Sequence, residues 1–132
     1  MRFLLDTNAV SALLAGHPRV RAKYSQYFGT IGVSAITLFE QHYGVAKSRK
    51  AVANMQALRR FSEGGVQIVE FGAEDAAVAG PLRRAMESKG RAMMGPFDLL
   101  IAAQALRTGA TLVTSDSGFA AVEGLRVEDW AG

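Results

Sequence analysis

Asp6, Glu40, Asp98 and Asp116 stand at points where a folded chain of this pattern can use carboxylates for chemistry. The opening run Met1-Arg2-Phe3-Leu4-Leu5 is largely apolar and stops abruptly at Asp6. Such a run reads as a buried parallel strand, and ligand sites in open α/β sheets lie outside the carboxyl ends of the strands. Asp116 follows a second β-branched run. Glu40 falls in a helical pattern, four residues after Ile36 and three before Tyr43, so it shares a stripe with apolar neighbours. A glutamate is rarely buried in such a stripe unless it is paired or acts as a ligand. Asp98 opens a helix that leads into the next strand. Each acid also has a plainer use. Asp6 can cap the helix that follows it, and Asp98 can favour its own helix from the first turn. Asp116-Ser117-Gly118 is a turn sequence, and Glu40 can reach past the stripe to solvent. If all four meet at one edge of a sheet, they repel one another unless a cation neutralises them. Oxygen donors without cysteine suit a hard ion, Mg²⁺ or Mn²⁺. Such an ion activates water and clamps a phosphate oxygen during in-line displacement.

The elements that would position these acids follow in order along the chain. Residues 2–5 read as a strand and 7–15 as a helix, broken by Gly16-His17-Pro18. A basic helical stretch runs from Arg19 to Phe28, and Thr30 to Ser34 reads as the second strand. Ser34 can cap a helix from Ala35 to Lys47, and residues 50–63 form another, stopped by Gly64-Gly65. Val66 to Phe71 is the third strand, and Glu74 to Lys89 a helix closed by Gly90. Pro96 opens a helix that runs to Arg107 and is closed by Gly109; Thr111 to Ser115 and Leu125 to Val127 are the last strands. Strands alternating with helices predict an α/β fold with a parallel sheet covered on both faces. No repeat or linker divides residues 1–132, so a single domain is expected.

Bulk composition bounds the rest. Hydrophobic residues at 49% and charged residues at 20% describe a globular chain rather than a disordered one. The absence of cysteine excludes a disulfide framework and a thiolate metal site, and agrees with a cytoplasmic location. Phe3-Leu4-Leu5 is too short for the apolar part of a signal peptide, and no run has the length of a membrane span. A net charge of +3 and a pI near 9.6 lean towards a polyanionic partner. His17 precedes a proline, and His42 faces away from Glu40, so neither joins the acids.

The quoted segments resemble a known family. Leu4-Leu5-Asp6-Thr7-Asn8, Glu40 with Tyr43-Gly44, Gly95-Pro96-Phe97-Asp98-Leu99-Leu100-Ile101-Ala102, and Thr114-Ser115-Asp116 with Phe119 are similar to the PIN-domain ribonucleases. The VapC-type toxins of bacterial toxin–antitoxin pairs share them in this order and also resemble the ending Gly124-Leu125-Arg126-Val127-Glu128-Asp129-Trp130. The likeness covers essentially the whole chain. It implies a three-layer α/β/α fold, with a central parallel sheet of four or five strands. It implies Mg²⁺- or Mn²⁺-dependent endonucleolytic cleavage of RNA of the tRNA or rRNA class, a homodimer, and a small VapB-type antitoxin that blocks the pocket. Asp6 and Asp98 match the family's most dependable metal ligands; Glu40 and Asp116 match the other two acids, which complete the pocket or hold metal through water. Ser115 stands where the family often has Asn, and Gly118 where many members carry a further acid; that departure bears on a second metal position and not on the first.

Two other readings compete. A haloacid-dehalogenase-type phosphatase would use Asp6 as nucleophile, but Asn8 stands where it wants a second aspartate. A PIN-like binding module with a dead site would not need all four acids. Candidate contacts to an RNA backbone are Arg19, Arg21 and Lys23; Lys47, Arg49 and Lys50; Arg83 and Arg84; and Lys89 with Arg91. Tyr24, Tyr27 and Phe28 can stack bases, although their helical spacing favours packing.

Overall fold

A computed structural model of the chain describes residues 1–89 and 94–132. Its elements are β1 (Phe3–Leu5), α1 (Thr7–Leu14), α2 (Pro18–Gln26), β2 (Ile31–Ser34), α3 (Ala35–Ala46) and α4 (Ala51–Glu63). β3 (Gln67–Val69), α5 (Ala73–Ser88), α6 (Pro96–Thr108), β4 (Thr111–Val113), a 3-10 helix (Ser117–Ala121) and β5 (Val127–Glu128) complete it. The five strands lie in the order β3-β2-β1-β4-β5, and every neighbouring pair is parallel. From β1 the chain first builds outward through β2 and β3, then crosses back to place β4 on the other side of β1. The strand order therefore reverses between β1 and β4, where open α/β sheets form their ligand crevice.

The residue alternation of β1 explains the three layers. Phe3 and Leu5 point to one face and join Val10, Val20, Val33, Leu58, Phe61 and Trp130, which come largely from α1, α2 and α4. Leu4 points to the other face and joins Leu112, Met86, Leu99, Ile101, Ala102 and Phe119, mainly from α5 and α6. All three β1 side chains are fully buried. Each contributes roughly 2 kcal/mol of hydrophobic stabilisation. The result is an α/β/α sandwich, as expected.

Local sequence sets the element ends. Ser34 Oγ accepts from Ile36 N–H at 3.0 Å and caps α3. Gly109 closes α6 at φ +72, a left-handed conformation that favours glycine. Several expected boundaries move. β3 and β4 stop at Val69 and Val113 rather than Phe71 and Ser115, because their pairing partners end there. The last strand is Val127–Glu128 rather than 125–127: the parallel register pairs Leu112 with Val127, and Leu125 packs into the core instead. α2 ends at Gln26, short of Phe28. The expected stop at Gly90 lies outside the described residues. No helix among the described residues is long and apolar enough to cross a membrane.

Candidate functional site

The β1–β4 register brings the first parts of the site together. Leu5 pairs with Val113, so Asp6 and Thr114 leave the sheet side by side at the strand-order reversal. The Asp6 backbone N–H donates to the Val113 carbonyl at 3.0 Å. Asp6 also caps α1, since its Oδ1 accepts from Ala9 N–H at 2.8 Å. Capping therefore orients this carboxylate rather than competing with a chemical role. Thr114 also lies beside Asp6 and favours its charged form. Thr114 Oγ1 accepts from Asp116 N–H at 3.0 Å, so this buried threonine stands between the two acids.

Asp116 caps the 3-10 helix through a 2.8 Å bond from Gly118 N–H to its Oδ1. A Cβ on Gly118 would sit 3.2 Å from that oxygen, so a larger residue there would press on the carboxylate. Glu40 is reached from β2 through α3, and Thr7 Oγ1 donates to its Oε1 at 2.6 Å. Gln41 Nε2 donates to the Thr7 carbonyl at 3.2 Å and to Ser11 Oγ at 2.9 Å, tying α3 to α1 just behind that contact. Asp98 lies in the first turn of α6, opened by Pro96, and is partly buried.

These four segments meet electrostatically. Burial pushes the Asp98 carboxyl up to about 6, helped by the charges of Glu40, Asp6 and Asp116 in that order. Asp6 is likewise raised by burial. Thr114 and the bond from Ala9 oppose the shift, while Asp116 and Glu40 add to it. The four expected acids thus lie near enough to influence one another at the carboxyl edge of the sheet. The oxygen-only donor set fits a hard divalent cation, because positive charge would offset both the burial that chiefly raises Asp98 and the repulsion that adds to it. Among the described residues no three acid or imidazole side chains stand close enough to hold a metal ion as a group, so the fit is one of charge and donor type alone.

The reason given for Glu40 needs correction. Its neighbours Phe39 and Tyr43 are 54% and 61% exposed. α3 turns Thr37 and Val45 inward instead, so Glu40 lies at a polar boundary rather than in a core stripe. Thr7, Gln41 and Thr114 were missed as individual positioning residues. The signal for Thr7 and Thr114 was present: Thr7 directly follows Asp6, two positions beyond β1, and Thr114 is one position beyond β4 and two before Asp116. The basic candidates divide. Arg83 and Arg84 pair with Glu87, and Lys89 pairs with Glu123. Arg21 lines a separate groove with Tyr24 and Arg60, while Lys47 lines a cavity with Glu40 and Thr7. Arg91 lies outside the described residues. Tyr24 and Tyr27 pack against the core, Tyr27 against Phe3 and Trp130, whereas Phe28 is exposed. His17 caps α2 by accepting from Val20 N–H.

Comparison with known proteins gives a consistent picture. The family model described as PIN domain matches residues 3–125. A ribonuclease VapC2 of Rickettsia felis is 35% identical over 134 residues, spanning 98% of each chain. A tRNA(fMet)-specific endonuclease VapC of Shigella flexneri is 32% identical over 133 residues, spanning 99% of each. Among solved structures, VapBC2 from Rickettsia felis bound to a promoter DNA fragment matches with a TM-score of 0.91 at 34% identity, covering 98% of this chain and 99% of that one. VapBC from Salmonella typhimurium bound to DNA matches with a TM-score of 0.92 at 29% identity, covering 98% of each chain.

Proposed function

The chain belongs to the PIN-domain family, and from that premise we propose that it is a VapC-type endoribonuclease toxin whose catalytic centre is Asp6, Glu40, Asp98 and Asp116. Residues 1–132 make up one such domain. What supports the site assignment is the β1–β4 register that brings Asp6 and the Thr114–Asp116 turn to one sheet edge, with burial and the charges of the other three acids holding the Asp98 carboxyl above its ordinary value. Acids placed only to cap and to turn would not need to face one another.

The metal is Mg²⁺ or Mn²⁺. When bound it offsets the acids' repulsion, lowers the pKa of a water and polarises a scissile phosphate. Asp6 and Asp98 are its direct holders, with Glu40 and Asp116 completing the pocket. Ala9 N–H holds the Asp6 carboxylate through its Oδ1, with Thr114 beside it. Thr7 fixes Glu40, and Gly118 N–H fixes Asp116. These bonds hold the donor set in place before substrate arrives, so little reorganisation is needed at the moment of reaction. Asp98 must be ionised to bind a cation, so activity rises with pH through the range in which that carboxyl loses its proton.

The substrate is RNA of the tRNA or rRNA class, and the partner is a VapB-type antitoxin that covers the acid pocket. The toxin itself is a homodimer acting in the cytoplasm. The test is cleavage of total cellular RNA by antitoxin-free protein with Mg²⁺, with Mn²⁺ and with EDTA, beside Asp98→Asn. Discrete metal-dependent cuts that vanish in the variant are expected. Wild-type cutting by Asp98→Asn would remove Asp98 from the centre, and no cutting in any metal would favour a binding module.

A further inference from the structure

One cavity beside the acids carries features that cation binding does not use. It holds about 400 Å³ and is lined by Thr7, Phe39, Glu40, Tyr43, Lys47 and Phe97, among others. Its acidic end is part of the centre described above, through Glu40 and the Thr7 hydroxyl that fixes it. Its walls are aromatic and open to solvent. Phe39, Tyr43 and Phe97 are 54%, 61% and 40% exposed, and each is a large apolar surface that folding has left in water. Phe39 and Phe97 meet edge to face, with ring centroids 5.4 Å apart. Their rings therefore support each other from different helices, α3 and α6. At the far end the Lys47 ammonium lies 4.7 Å from the Tyr43 ring centroid, and exposed Arg49 and Lys50 follow it.

We propose that this cavity is a nucleobase subsite: one unstacked base of single-stranded RNA lies against the Phe39, Tyr43 and Phe97 rings, with an adjoining phosphate on Lys47. The inference rests on the ribonuclease reading and deepens it by stating what flanks the cut. Charge decides among occupants. An apolar protein segment would be matched by the rings but not by Lys47, whereas a nucleotide presents a flat π-face and an anion within one residue. Aromatic faces accept any base, so the subsite selects for unpaired rather than duplex RNA. Paired bases already stack on their neighbours and cannot reach the rings. A looped or single-stranded segment can place one base here while the next phosphate lies over the acids.

The test uses the full chain carrying Asp98→Asn to prevent cutting, with divalent cation present. The probe is a single-stranded RNA oligonucleotide containing 2-aminopurine, whose fluorescence is quenched when the base stacks. Quenching is expected on binding, and Tyr43→Ala or Phe39→Ala is expected to abolish it and weaken binding by about 5-fold or more. Tyr43→Phe keeps the ring and should behave as the parent, which separates stacking from a folding defect. Lys47→Gln should flatten the salt dependence by about 0.7 in log–log slope, the share of one phosphate on a single strand. A parent that cuts and binds RNA, while the alanine variants keep both quenching and affinity, overturns the subsite alone. Loss of dimer mass in Phe39→Ala with RNA binding intact also overturns it and makes the surface a contact between two copies. A parent that neither binds nor cuts RNA overturns the ribonuclease reading and the subsite with it.

Discussion

Asp6 and Asp75 are both buried aspartates, 2% and 1% exposed, yet their surroundings are opposite. In each, burial is the largest influence and raises the carboxyl pKa. Around Asp75 that influence is overcome. Gly72 N–H donates to its Oδ2 at 2.9 Å and the Arg107 guanidinium bonds its Oδ1, and with a small lowering influence from nearby Gln104 the carboxyl lies below its ordinary value. Around Asp6 the influence of Thr114 and the bond from Ala9 are not enough, and the nearby charges are Asp116 and Glu40. The fold therefore supplies its own cation where an acid joins α5 to α6, and none of the groups shifting Asp6 or Asp98 is basic. An acid with an internal partner is architecture. The proposed centre is instead a group of acids whose repulsion only an outside cation would offset.

The comparison breaks most sharply at Asp98. Asparagine keeps the size of the side chain and removes its charge. Losing an outer-shell partner of a metal ligand typically costs about 10- to 100-fold in affinity or activity, so loss of a direct holder should cost at least about 100-fold. RNA cleavage by Asp98→Asn and Asp6→Asn, at matched metal concentrations, measures this. Both variants should stay folded, since asparagine also caps helices and Asp98 lies in a helix's first turn. Activity near that of the parent would mean that the pocket's repulsion has no catalytic purpose.

The opposite outcome is expected for Arg107→Leu. Removing this cation leaves Asp75 charged and buried, a situation that costs about 3–5 kcal/mol when both partners are fully enclosed. Arg107 is itself 29% exposed, so solvent screens the pair and about 2 kcal/mol is the better figure. Urea denaturation checks it. Cleavage per folded molecule should hardly change. A stable variant with impaired cleavage would erase the distinction between the two aspartates.

Much of this contrast was legible in the chain, for a physical reason. Asp6 and Asp116 follow apolar strands directly, and strand ends in a parallel sheet fall at one edge, so their convergence needed only the alternation of elements. Asp98 was legible through Pro96, which fixes where α6 begins. Glu40 was placed at the site for a mistaken reason, because periodicity shows which residues share a helix face but not whether that face is inward. Phe39 and Tyr43 turn out to face solvent. The Asp75–Arg107 pair was not foreseen, since it joins residues 32 positions apart across two helices whose packing no local pattern encodes. Strand lengths were overestimated where a β-branched run continues past the last pairing partner, as at Thr114.

Thr7→Val sharpens the comparison at smaller scale. Valine keeps the shape of threonine but cannot donate to Glu40 Oε1. Glu40 stays present but less well held, so about a 10-fold loss of cleavage is expected, at the low end for an outer-shell partner. Stability should fall by about 1 kcal/mol or less, the net contribution of one partly exposed hydrogen bond. An unchanged rate would show that Glu40 needs no orientation by α1.

The smallest effect is the most diagnostic, because the two aspartates should push stability in opposite directions with pH. Asp98 has an ordinary value of 3.8 and a folded value of about 6, so the folded state binds its proton more tightly than the unfolded chain does. Its neutral form favours folding below about pH 4, and that advantage is lost as pH rises through about 6. Asp75, held below its ordinary value, contributes stability at neutral pH that is lost on acidification. Metal-free Asp98→Asn should therefore match the parent near pH 4 and exceed it at pH 7. The difference should be on the order of 1 kcal/mol, well below the full shift because Asp98 is only partly buried. Paired urea melts in EDTA at the two pH values measure it. Adding Mg²⁺ or Mn²⁺ should then reverse the order at pH 7, since a cation stabilises only the protein that binds it. If the variant were no more stable than the parent in EDTA, Asp98 would already be compensated from within the chain, and the pocket would resemble Asp75 rather than contrast with it.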